Sequence, residues 1–142
     1  MSLIDYLRSG RLGFLALDIP GEQILKTLHS PDERTPPSRK LELWKYGNLQ
    51  VALTDHRVSF IGIYFDGDEL KLPEAFEIKD WPSGKTQKGE FVRKLVSEGV
   101  KFEIYPMLTF DNQVCLRLQS GIHVYFMDGL LRSIQLGKQD VS

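Results

Sequence analysis

Cys115 is the only cysteine among the 142 residues. An internal disulfide is therefore excluded, and so is a zinc site built from several cysteines. Such a chain suits a reducing compartment. An excess of charge of either sign is also missing, with 18 Lys and Arg against 19 Asp and Glu. Proteins that bind nucleic-acid phosphates carry a basic surplus. The short run of Arg34, Arg39 and Lys40 does not supply one, so no nucleic-acid partner is expected. No apolar run reaches the roughly 18 residues of a membrane-spanning helix. The N-terminus carries Asp5 and no long apolar stretch, unlike a secretory or lipoprotein signal. Together these features predict a cytoplasmic protein that does not use a membrane. The three histidines, His29, His56 and His123, are not spaced with one another or with carboxylates as ligands on one element. No metal and no cofactor is expected.

The composition is ordinary for a globular chain, 42% apolar and 26% charged. The length suits one domain with a real core. Residues 2–9 read as a short helix with Leu3, Ile4 and Leu7 on one side. Pro20, Gly21 and Glu22 open a second helix, since proline is tolerated in a first turn. The proline-rich stretch 29–40 reads as a surface loop. Strands follow at 41–46, 49–54 and 58–65, separated by Gly47-Asn48 and Asp55-His56. A polar connector spans 67–85, with room for a short strand near 75–79. A third helix is expected over 86–98, with Phe91, Val92, Leu95 and Val96 as its stripe and Gly99 after its end. Strands at 101–105, 114–119, 122–127 and 131–136 complete the chain.

A shift of 73 residues lays 46–63 over 119–136 without a gap. Leu49 meets Ile122, Val51 meets Val124, Leu53 meets Phe126, and Asp55 meets Asp128. Gly21-Glu22 meets Gly89-Glu90 after a gap of five. The expected fold is α+β within one domain, 1–142. Its antiparallel sheet comes from two tandem helix–β-meander units, 1–66 and 86–142, with helices packed on one face.

Strand side chains alternate. Leu49, Val51 and Leu53, like Ile122, Val124 and Phe126, are uniformly apolar and should face the helices. The other face would carry Trp44, Tyr46, Phe60, Tyr64, Arg117, His123, Tyr125 and Met127, with Tyr105 beside them. Aromatics, methionine and arginine are enriched at interface hot spots. This face is the expected partner-binding surface, unless the connector covers it.

Recognised reaction motifs are weak. Gly84-Lys85-Thr86 lacks the glycine five residues upstream that a phosphate loop needs, and Lys79 stands there. Asp66-Gly67-Asp68-Glu69 lacks the bidentate glutamate of a calcium loop and reads as a turn. Cys115 and His123 fall on adjacent strands, so a nucleophile–base pair or a small-molecule pocket near them is the alternative reading. No catalytic residue is assigned.

The segment 17–28, then Pro31-Asp32, then 45–51 (Lys-Tyr-Gly-Asn-Leu-Gln-Val) resembles small bacterial domains with a Tyr-Gly-x-Leu-x-Leu hairpin. Residues 121–131 are similar to the same hairpin again. The pattern resembles the beta-lactamase-inhibitory-protein-like architecture, also seen in SmpA/OmlA-like domains and in bacterial immunity-protein-like domains. Asp18 and His29 stand where that pattern has glycines. The resemblance implies an aromatic sheet that binds a protein, a toxin or an enzyme, and no catalytic residue. An envelope-assembly role of the SmpA/OmlA kind would need an export signal.

Overall fold

The computed structural model describes residues 3–35, 40–66, 69–76, 78 and 81–138. Arg39 of the basic run, Gly67 and Asp68 of the acidic turn, and Lys79 lie outside the described residues. The helices are α1 (Leu3–Ser9), α2 (Gly21–Thr27) and α3 (Lys88–Ser97). The strands are β1 (Glu33–Arg34), β2 (Leu41–Tyr46), β3 (Leu49–Thr54), β4 (Arg57–Tyr64), β5 (Phe102–Ile104), β6 (Gln113–Leu118), β7 (His123–Met127) and β8 (Leu130–Gly137). They form one eight-stranded antiparallel sheet in the order β1-β2-β3-β4-β8-β7-β6-β5. The fold is α+β, mostly sheet, and the sheet is not closed. Its edge strands have only two and three residues. Short edges leave little unpaired backbone for another chain to join.

The internal repeat is carried by structural details. The β3–β4 ladder has a bulge between Ala52 and Leu53, and the β7–β8 ladder has one between Tyr125 and Phe126. Both pairs differ by the same 73 positions. Asp55 and His56 have φ of 51° and 66°, and Asp128 and Gly129 have 53° and 80°. Left-handed pairs of this kind suit the twist of a two-residue hairpin. The helices need a gap of six rather than the expected five. Gly21 N donates to His56 O (2.9 Å) just as Lys88 N donates to Gly129 O (2.8 Å). On that register Ile24 and Leu28 of unit one match Phe91 and Leu95 of unit two, and all four are buried.

Three local expectations change. Connector residues 74–76 form a 3₁₀ turn, and no strand lies among the described residues near 75–79. Val96 is 66% exposed, so the α3 stripe narrows to Phe91 and Leu95 with Val92 partly buried. Residues 29–40 include the short strand β1. At the end of α3 the expected cap is present, with Gly99 at φ 69° and Val100 N donating to Leu95 O at 2.9 Å.

One continuous cluster of buried apolar side chains draws on both units and on α1. Tyr6 of α1 donates to Ile61 O at 3.4 Å, Ser120 Oγ donates to Leu7 O at 2.8 Å, and Arg8 donates to Glu98 O at 2.7 Å. Thus α1 spans both units. The connector packs on this same side. Phe76 stacks on Phe14 with centroids 5.5 Å apart, and Trp81 lies 5.0 Å from Phe91, which meets Phe126 edge-on. The described part of the connector therefore thickens the helix layer and leaves the opposite sheet face open.

Candidate functional site: the open sheet face

Which side chains reach the open face depends on turn length. Gly47-Asn48 is a two-residue turn, so Tyr46 pairs with Leu49 and Trp44 with Val51. Directly paired residues share a face. Leu49 and Val51 face the helices, so Tyr46 and Trp44 do too, at 1% and 2% exposure. Trp44 and Tyr46 therefore leave the expected binding set and join the core. Carrying the alternation straight through the turn puts them on the wrong side, because a two-residue hairpin reverses the parity of the count. In unit two the turn has three residues, with Arg117 paired to His123. Parity is kept there, and Arg117 stays on the open face.

The remaining six expected residues, Phe60, Tyr64, Arg117, His123, Tyr125 and Met127, all fall on the open side by register. One polar row crosses the whole sheet: Glu33, Lys45, Gln50, Gly62, Gln135, His123, Arg117, Glu103. An acid and a base thus occupy each edge, with two glutamines toward the centre. Beside it runs a second row of Tyr64, Ser133, Tyr125 and Cys115. Gly62 at the centre is what lets rings close over the sheet. A Cβ there would lie 2.8 Å from Phe60 Cε1 and 2.9 Å from Tyr64 Cε2.

The unit-two half is a connected cluster. Arg117 Nε donates to Glu103 Oε1 at 2.9 Å, and its Nη2 contacts the same oxygen. The guanidinium carbon lies 4.8 Å from the Tyr105 ring centre, a cation–π contact. Tyr105 meets His123 edge-on at 5.2 Å, and His123 meets Tyr125 at 6.3 Å. Burial, then the Arg117 charge, holds the His123 imidazole below its usual value and so favours its neutral form. Burial, then the neighbouring Cys115, pushes Tyr125 up to about 12. Exposed Met107 and Phe110 extend the apolar area beyond β6, whereas Ile104 pairs with Leu116 and lies on the helix side.

The same geometry weighs against the nucleophile–base reading. Cys115 is fully buried. Burial pushes its thiol up, although a hydrogen bond from Tyr125 and the charge of Arg117 oppose this. A protonated, covered thiol is a poor nucleophile. Elsewhere, Thr86 of the Gly-Lys-Thr stretch is buried, and its Oγ1 accepts from Ser83 N at 2.9 Å. That closes a turn before α3 and occupies the hydroxyl a phosphate loop would use. Asp66 accepts from Asn48 Nδ2 at 2.9 Å. Among the described residues no group of three or more His, Cys, Asp or Glu could hold a metal, and no helix is long and apolar enough to cross a membrane. No protein family, curated protein or solved structure matches the chain.

Proposed function

We propose that this chain is a non-catalytic protein-binding module, an immunity-type inhibitor that occludes a bacterial toxin or enzyme with its open sheet face and works in the cytoplasm. The observation that carries the reading is the Tyr64–Tyr125–His123–Tyr105–Arg117 surface, left uncovered by helices and by the described connector. Tyrosines on rigid strands give large contact area at low entropic cost, and Arg117, a residue type enriched at hot spots, is already held by Glu103 and Tyr105. The polar row offers a partner paired charges at both edges, which favours register over raw affinity. The test is co-expression with the protein encoded beside its gene, reading both complex formation and protection of growth. Arg117→Ala with Tyr125→Ala should weaken the complex at least 100-fold, in line with about 3 kcal/mol lost from two hot-spot residues. Lys26→Glu on α2 should not. Equal binding by the double variant sinks the open-face reading.

A further inference from the structure

A second concave site lies on the opposite side of the sheet, at the far end of unit one. Its walls are the start of α2, the Asp55–Arg57 turn and Arg34, and its floor includes Glu42 and Trp44. The cavity measures about 450 Å³, within the usual range for small-molecule sites. Glu42 is only 3% exposed. Its Oε1 and the Trp44 Nε1 are buried without a hydrogen-bond partner among the described residues. Native structures rarely leave such atoms unsatisfied.

Arg34 stands over Glu42 Oε1 and the Trp44 ring without satisfying that oxygen. Its Nη2 stands 3.5 Å from that oxygen, and its Cζ lies 4.8 Å from the Trp44 ring centre. The arginine side chain is 41% exposed, so the guanidinium is free to lift away. His56 Nδ1 stands 4.0 Å from Glu42 Oε2.

The repeat supplies an internal control. Where unit one has Glu42, Trp44 and His56, unit two has Val114, Leu116 and Gly129. The fold is therefore built at the equivalent place with no polar group. His56 is also held at φ 66°, where its counterpart is glycine. A carboxylate, an indole and an imidazole at these three positions need a reason other than folding.

The signs of charge narrow the ligand. Glu22, Glu42 and Asp55 line the cleft with Arg34 and Arg57. A simple anion meets three carboxylates, and a simple cation meets two guanidiniums. We propose that this cleft binds a zwitterionic ligand of the amino-acid class, its ammonium on Glu42 and its carboxylate on Arg34 and the Trp44 indole N–H. The ammonium provides the donor that Oε1 lacks, and the carboxylate provides the acceptor that Nε1 lacks. Both contacts are charge-assisted. The site is independent of the open-face reading, since no residue is shared.

The test uses the whole chain in a thermal-shift screen of the twenty free L-amino acids at ~10 mM, followed by calorimetry. At least one should raise Tm by about 5 °C, the shift expected for a ligand present at roughly ten times its Kd. Its amide, without the carboxylate, and its N-acetyl form, without the ammonium, should each bind at least 10-fold more weakly. Glu42→Gln and the exposed Arg34→Ala should each do the same while the protein stays folded by circular dichroism. A screen with no shift overturns the proposal. So does equal binding by both blocked forms, full binding by both variants, or an equal shift from inorganic phosphate alone.

Discussion

Replacing Trp44 by alanine removes an indole that is 2% exposed and packed against Val51 and α2. Truncating a buried Trp costs about 3–5 kcal/mol through lost transfer energy and the cavity left behind. Part of this is recovered, because the Nε1–H, which has no partner among the described residues, leaves with the ring, and an orphaned buried donor costs about 1–3 kcal/mol. The net loss should be about 2 kcal/mol. Urea slopes run about 2 kcal/mol per molar for such domains, so the midpoint should fall by ~1 M. Tyr125→Ala acts on the half-buried open face and should cost about 1 kcal/mol, or ~0.5 M. Far-UV circular dichroism should follow the melts, since Trp44 is itself a fluorophore. A Trp44→Ala midpoint within ~0.5 M of the parent, with a larger fall for Tyr125→Ala, would mean that the two-residue turn does not set the face of β2.

Gly62→Ala should cost about 1 kcal/mol by pushing Phe60 and Tyr64 off the sheet; a neutral melt would show that the rings do not rest on the glycine. Unit two suggests two gains in unit one: His56→Gly relieves a left-handed residue and Glu42→Val removes a buried carboxylate whose Oε1 has no hydrogen-bond partner among the described residues, each worth about 1 kcal/mol in a denaturant melt. The two gains should come at the expense of ligand binding in the cleft. His123 has a lowered folded-state pKa, by burial first and Arg117 second. Its contribution to stability is complete above the unfolded value of about 6.5 and declines as pH falls below it. His123→Gln should flatten that acid limb in Tm measurements. Tyr125 is raised to about 12 from 10.0, so its contribution holds below pH 10 and is lost between there and 12. Tyr125→Phe should remove that alkaline loss, and an unchanged limb would place the titration elsewhere.

Much of the fold is legible in the sequence because its signals are local. The alternation of Leu49, Val51 and Leu53 and of Ile122, Val124 and Phe126 identifies the helix-facing side, and all six are buried. The 73-residue register aligns even the two bulges. Six of the eight expected open-face residues stand there: His123, Tyr125 and Met127 lie on an anchor strand, Arg117 keeps its face through a three-residue turn, and Phe60 and Tyr64 keep theirs because the bulge at Ala52/Leu53 undoes the reversal made by the two-residue Asp55-His56 turn. Trp44 and Tyr46 fail because β2 is reached through a two-residue turn with no bulge in its ladder to restore the count. The signal was present in the two residues Gly47-Asn48, whose length fixes the pairing.

Contacts between distant positions belong to the tertiary structure alone. The junction of the two units is the pairing of Ile63 with Ile134 and of Ile61 with Leu136 at the sheet centre. Nothing local in β4 or β8 selects that partner. The placement of α1 across both units and of Phe76 and Trp81 on the helix side likewise depends on surfaces that exist only once the sheet is assembled. So does the burial of Glu42, which lies in an alternating strand where the sequence pattern gives no sign of a carboxylate facing inward. The sequence by itself determined the period, the turns and the repeat, because covalent geometry imposes them residue by residue. Tertiary structure decided which faces close, which stays open, and which polar atoms are left without partners, because those depend on what packs above each strand.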